Sequence, residues 1–294
     1  MTNSKIEQAI LNAQDLTEHE KNKMLALLAK NRDNKANILI TGATGAGKSS
    51  TINAMFNMEV ATVGLGVDAE TTELAKFELG NLTLWDSPGL GNSPQEDRQN
   101  SENIIDLLNE EDDDGNFLID VVLVVLDGTS KDLSLSYQLI NEIIIPNLHE
   151  TERLLIGINK ADAMLNGRHW DYQNGQPLPP LQNRIHEKVK SVSSHIYNAT
   201  SVSVEPLAYS AGYKEENCPQ EKPYNLAKLL CFLLDKIPEE KRATVAENAS
   251  ESSWGDYSIG DILGMGALLL GGVFVAVLDG IETTFDNISD LFDF

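Results

Sequence analysis

The stretch that most constrains the fold is residues 38–53, ILITGATGAGKSSTIN. A short apolar run leads into G-x-x-x-x-G-K-S from Gly42 to Ser49, and a helix-forming segment follows. Strand, glycine-rich turn and helix N-terminus in that order make a phosphate-binding loop. Glycines let successive backbone N–H groups turn inward onto phosphate oxygens, and the free amides and positive dipole end of the helix add to that pull. The candidate cradle is Gly42, Ala43, Thr44, Gly45, Ala46, Gly47, Lys48, Ser49 and Ser50. Lys48 can reach β- and γ-phosphates, and the Ser49 hydroxyl can ligate Mg²⁺. The loop implies a nucleoside triphosphate without saying which one.

Across residues 36–238, apolar strand segments alternate with helical stretches. Strands are expected at 38–41, 74–79, 82–85, 121–126, 154–158 and 206–209, and helices near 49–56, 96–109, 133–145, 181–197 and 226–234. A continuous apolar run such as VVLVVL at 121–126 suits a strand buried on both faces of a parallel sheet. Segments 74–79 and 82–84 are close enough to pair as a hairpin through Gly80-Asn81. The expected architecture is α/β: a P-loop NTPase domain with a doubly wound, mostly parallel six-stranded sheet and one antiparallel edge strand. Residues 1–35 read as an N-terminal helical extension, since Ser4–Glu7 and Thr17–Glu20 both match the S/T-x-x-E capping box.

Residues 239–294 read as an acidic helical tail. From Ala243 to Phe294 there are nine acids and no Lys, Arg or His, and Ile281, Phe285 and Ile288 would form an apolar stripe on a helix. Within the tail, 262–278 is a glycine-rich run of seventeen residues without a charge. A helical span typically needs about 20, and no basic residue flanks this run nearer than Arg242. Packing on the domain or in a self-association contact ranks first, peripheral membrane contact second, and a true span third.

Four more segments follow the loop. Asp86-Ser87-Pro88-Gly89 comes thirty-seven residues after Ser49, at the end of a strand. Its Asp86 can hold Mg²⁺ through water, and the Gly89 amide can sense a γ-phosphate, making the next loop a switch. Asn159-Lys160-Ala161-Asp162 closes another strand. A carboxylate at Asp162 can accept from the N1–H and exocyclic amine of guanine, a donor pair that adenine lacks. The Lys160 stem can lie over the base, and Asn159 can tie this loop to the phosphate loop. Ser210-Ala211-Gly212 would turn the Ala211 N–H toward the guanine O6. In Gly66–Thr72, Thr71 or Thr72 could ligate Mg²⁺ when a γ-phosphate is present; chemistry alone does not separate them.

GATGAGKSS, the G-V-D-x-E-T stretch, LWDSPGLG, NKAD and YSAG together resemble the Era-like bacterial GTPases of the translation-factor-related class, the YfjP-type group in particular. The resemblance covers about residues 36–238. It implies a switch that binds GTP or GDP with Mg²⁺ and hydrolyses GTP, with Lys48, Thr71 and Gly89 at the reacting phosphate and Ser49, Thr71 and Asp86 (via water) at the metal. It favours Thr71 over Thr72. Two positions depart from better-known relatives. The glutamine that follows D-x-x-G in Ras-type GTPases and orients the attacking water is here Leu90, and the Asn of potassium-activated relatives is here Gly45. The loop is similar instead to septin-like and immunity-related GTPases, which pair across their nucleotide faces. Slow turnover alone is therefore expected, with a group supplied in trans by a second copy or a partner. Arg98 and Arg168 could act as charge donors, with an ordinary surface role ranked first for both. A nucleotide-dependent binding module without useful turnover is the alternative, and a P-loop ATPase or kinase a weaker one, opposed by Asp162.

Charge narrows the partners. With 45 acids against 22 bases the formal net charge is −23, which disfavours direct nucleic-acid binding and anionic lipid. Cys218 and Cys231 form no C-x-x-C, the five histidines show no metal-ligand spacing, and the first residues lack a secretory pattern, so a cytoplasmic setting is expected.

Overall fold

The computed structural model describes residues 5–12, 17–56, 74–212, 223–250, 253, 274–278 and 281–285. The expectations for 66–72, including Thr71 and Thr72, and for the apolar residues 262–273 lie outside these.

Two helices, α1 (Lys5–Asn12) and α2 (Glu18–Asn31), precede strand β1 (Ala36–Thr41). The phosphate loop then runs into α3 (Lys48–Phe56), followed by β2 (Ala75–Leu79), β3 (Leu82–Asp86) and α4 (Pro94–Leu108). Helix α4 starts where it does because Ser93 caps it, accepting from Glu96 N at 3.3 Å, and Pro94 occupies its first turn. After β4 (Val121–Asp127), α5 (Ser134–Gln138) passes through a π-helical turn, Leu139–Ile144, into the short α6 (Ile145–Asn147). Pro146 has no amide to continue an α-helical ladder, and the wider turn sits directly before it. Strand β5 (Leu154–Asn159) is followed by a small hairpin, β6 (Trp170–Asp171) with β7 (Gln176–Pro177), and by the long α7 (Pro179–Thr200). Strand β8 (Leu207–Ala208), α8 (Leu226–Lys236) and α9 (Glu239–Asn248) complete the domain.

The main sheet has six strands in the order β2-β3-β1-β4-β5-β8. All neighbours are parallel except β2 with β3, which pair antiparallel through the Gly80-Asn81 turn with Leu79 opposite Leu82. Every residue of β1 and β5 is buried, as is β4 up to Leu126, so side chains alternate between two cores. Ile38, Ile40, Leu82, Leu84, Val121 and Leu123 face a layer containing α3, α8 and α9, with Ile10 and Leu28 from the N-terminal helices. Leu39, Val122, Val124, Ile156 and Ile158 face α4, the 134–147 helix and α7. Helix α9 packs against β1 and β3 and against α1 and α2. Its Thr244 hydroxyl lies within 2.7 Å of Asn34 O and 3.2 Å of Arg32 O, joining α9 to the turn between α2 and β1.

The helical reading of the tail is corrected where the structure describes it. Residues Phe274–Leu278 (β9) and Ile281–Phe285 (β10) form an antiparallel hairpin with Leu278 opposite Ile281. The segments FVAVL and IETTF are rich in β-branched and aromatic residues, and Asp279-Gly280 between them is a two-residue hairpin signal. Among the described residues no helix is long and apolar enough to cross a membrane.

Candidate nucleotide site

The quoted motifs 42–49, 86–89, 159–162 and 210–212 gather at the C-terminal edge of the sheet, because each follows a strand of that sheet: β1, β3, β5 and β8. That edge is where ligands sit in open α/β sheets.

The phosphate loop is shaped by positive φ at Gly42 (+146°), Gly45 (+77°) and Gly47 (+95°). A Cβ at Gly42 would strike the Val125 carbonyl, and one at Gly47 the Asn159 amide. Lys48, 8% exposed, lies across the loop and donates from Nζ to Gly42 O at 3.2 Å and Ala43 O at 3.3 Å. Burial pulls its pKa down while Asp86 pulls it back up. Ser49 Oγ donates to Asp86 Oδ2 at 3.0 Å. Burial pushes the Asp86 carboxyl above the usual range, opposed by Lys48 and by the Ser49 hydroxyl. Its Oδ1 is buried with no hydrogen-bond partner among the described residues. A hydroxyl touching a carboxylate that keeps one unsatisfied buried oxygen suits a small hard cation. Ser50 is exposed on the first turn of α3.

The loop after β3 leans on the phosphate loop. Thr44 N donates to Leu90 O at 3.0 Å, Thr44 Oγ1 to Asn92 Oδ1 at 3.2 Å, and Gly89 has no room for a Cβ against Thr44. The Leu90 side chain is 5% exposed and belongs to the core shared with α4 and α5. Arg98, 81% exposed at its side chain, pairs with Glu102 on α4, and Arg168 is exposed in the loop before β6.

At the base-binding end, Asn159 joins three segments. Its Nδ2 donates to Ala46 O at 3.1 Å, while Oδ1 accepts from Lys160 N at 2.8 Å and Ala211 N at 3.1 Å. The Ala211 N–H, expected to face a base carbonyl, here donates to the buried Asn159 side-chain oxygen. Ser210 pairs through its backbone with Tyr224, and its hydroxyl accepts from Gly212 N at 3.3 Å. Lys160 adopts a left-handed φ of 61° and donates from Nζ to Gly45 O at 2.7 Å. Asp162 follows in a short 3₁₀ turn, Ala161–Ala163, and its Oδ1 is buried without a hydrogen-bond partner among the described residues.

Sequence reasoning missed two sets of residues here. Asp127, at the end of β4, forms an ion pair with Lys160 at 2.6 Å; its place at the C-terminal end of a parallel strand was the available signal. Tyr209, fully buried, meets the Thr51 hydroxyl of α3 at 2.7 Å and so connects β8 to the phosphate-loop helix. No local signal marks that second pair, which forms only across the fold.

A search of curated proteins found no match. Among solved structures, the chain is similar to a GTP-binding protein from the archaeon Sulfolobus solfataricus in complex with GDP, at 19% identity and a TM-score of 0.38. That match covers 72% of this chain and 54% of the archaeal one, so the chain spans about half of that protein's length. It is also similar to Toc33 from Arabidopsis thaliana in complex with GDP and Mg²⁺ (15% identity, 82% and 96% covered, TM-score 0.46). A third is the LeoA bacterial dynamin GTPase from ETEC (12% identity, 88% and 44% covered, TM-score 0.44). Residues 37–160, from β1 to the lysine of the N-K-x-D motif, match the family model of the 50S ribosome-binding GTPases.

Proposed function

We propose that this chain binds GTP and GDP with Mg²⁺ and hydrolyses GTP as a molecular switch. The observation that carries this reading is the pair of buried oxygens, Asp86 Oδ1 and Asp162 Oδ1, without hydrogen-bond partners among the described residues, on the second and third of the four motif loops at the sheet edge. One suits a cation at the phosphate end, the other the N1–H and amine of guanine. Ser49 and Asp86 would hold the metal, with Thr71 joining them in the triphosphate state. The metal neutralises phosphate charge when bound. Lys48 and the loop amides would hold the β- and γ-phosphates, and the Gly89 amide would register the γ-phosphate.

Turnover by the isolated chain would be slow. Leu90 is buried where a water-orienting side chain would stand, and Arg98 is already paired on α4. A second copy docking across the nucleotide face, or another protein, would complete the site. Within this reading the chain is an Era-like, YfjP-type bacterial GTPase. It would work in the cytoplasm through an effector protein, with 262–278 as its membrane or self-association contact.

Binding of fluorescent guanine and adenine nucleotides tests the first step, with guanine preferred. Asp162→Asn should weaken GDP and favour xanthine nucleotides, because an amide presents a donor where xanthine carries a carbonyl. Equal affinity for ATP and GTP would sink the guanine assignment. Turnover per subunit should rise with protein concentration if a second copy completes the site. No turnover at any concentration or with partner extract would favour the binding-module reading, which the buried Leu90 also supports.

A further inference from the structure

Asp127 is absent from every motif read above, yet its carboxylate is engaged at both oxygens. Oδ2 accepts from Lys160 Nζ at 2.6 Å, and Oδ1 accepts from Thr129 N at 2.8 Å and Thr129 Oγ1 at 2.6 Å. The same Lys160 ammonium donates to Gly45 O at 2.7 Å. The 127–130 loop is itself braced on both sides. Gly128 N donates to Asn159 O at 2.8 Å, and Lys188 of α7 donates to Ser130 O at 2.7 Å. Gly128 leaves no space for a Cβ beside Met164 and Asn159.

We propose that Asp127 is a positioning residue for guanine recognition: it holds the Lys160 ammonium on the Gly45 carbonyl so that the lysine stem is fixed as a platform for the base beside Asp162. This rests on the guanine-nucleotide reading above. A lysine has a flexible four-carbon stem and a strongly hydrated head, so an unanchored Lys160 would have to be ordered each time nucleotide binds. Anchoring at two acceptors does that ordering in advance. Thr129 fixes which carboxylate oxygen faces the lysine. Burial pushes the Asp127 carboxyl up, but the donors Lys160 and Thr129 outweigh it and hold it below the usual carboxylate range, so the anchor stays ionised. The pair is partly exposed, at 38% for Lys160 and 23% for Asp127, which suits orientation better than stabilisation.

A double-mutant cycle on the full chain tests this, read by the dissociation constant of a fluorescent GDP analogue. Asp127→Asn keeps an acceptor for Thr129 but turns an amide N–H toward Lys160. It should weaken GDP binding about tenfold, the scale of one lost charged hydrogen bond. In a Lys160→Met background the same change should have little further effect. Thr129→Val, which removes only the hydroxyl bond, should produce a smaller loss that also disappears with Lys160→Met, and it covers the case in which Asp127→Asn fails to fold. Equal losses with and without Lys160 would reduce Asp127 to loop support, and undiminished binding by Asp127→Asn and Thr129→Val would also overturn the proposal. Failure of the unaltered chain to bind GDP would instead overturn the nucleotide reading itself, and the proposal with it.

Discussion

Gly45 and Gly47 both hold positive φ in the phosphate loop, but their surroundings differ. A Cβ at Gly45 meets nothing within 4 Å among the described residues, whereas one at Gly47 runs into Asn159. Gly45→Ala should therefore cost only the backbone strain, about 1 kcal/mol. Gly47→Ala must also displace the Asn159 amide from Ala46 O and break the tie between the phosphate and base loops. GDP titration should show a loss well beyond that of Gly45→Ala, with the apo chain still folded. Leu90 gives a second contrast. Supplying the missing glutamine by Leu90→Gln should not restore fast hydrolysis. The side chain at 90 is packed in the core, and its carbonyl is held by Thr44 N, so the backbone aims residue 90 inward. Burying an amide there costs about 1–3 kcal/mol, visible as a lower melting temperature without a gain in phosphate release.

Among elements, β8 and α3 carry a coupling that no motif announces. Tyr209 leaves β8 just before Ser210 and meets Thr51, whose hydroxyl also donates to Gly47 O at 2.8 Å. Burial drives the Tyr209 pKa up, so it stays a neutral donor throughout the working pH range. Tyr209→Phe should cost about 1 kcal/mol by urea melting, and GDP should then protect the fold less than in the unaltered chain. This pair also shows what could be read from sequence. The strands that carry the motifs were legible because each is a buried apolar run ending in polar residues, as in LLIGI before Asn159. The positions of Asp86, Asn159 and Asp162 at one edge followed from that. Asp127 was written in the same way, after VVLVVL, but its role depends on where Lys160 Nζ goes. The tail is ambiguous in sequence because small and apolar residues fit helix or strand alike: the Ile281, Phe285 and Ile288 spacing favours a helix, whereas the Asp279-Gly280 dipeptide favours a hairpin. Thr51 and Tyr209 are 158 residues apart, and no local pattern predicts such a contact.

At the scale of the whole molecule, the far side of the sheet is closed by α9. Lys241 reaches in from it to Asp120 Oδ1 at 2.7 Å, while Asp120 Oδ2 accepts from Asn37 N at 2.8 Å. Asp120 is 2% exposed, and burial pushes its carboxyl above the usual range despite Lys241 and Asn37 pulling it down. The folded chain thus keeps a proton that the unfolded chain releases, and this group's contribution to stability falls as pH rises through that window. Lys241→Met removes the strongest opposing influence and should extend the loss to higher pH, costing about 3 kcal/mol at neutral pH; adding Asp120→Asn should flatten the pH profile in thermal melts. The same layer decides where the chain can be cut. Ala243, Val245 and Ala246 are buried with the N-terminal helices, and Ser250 and Ser253 hydroxyls donate to Ala54 O and Met55 O at the end of α3, at 2.5 and 2.7 Å. A chain ending at 238 loses all of these contacts and should melt far below the full-length protein or fail to fold. A chain ending at 253 keeps them and should retain both its melting temperature and GDP affinity. Comparing the 253 truncation with the full chain in membrane and cytosol fractions then isolates the tail. If the two distribute alike, residues 254–294 have no part in membrane attachment.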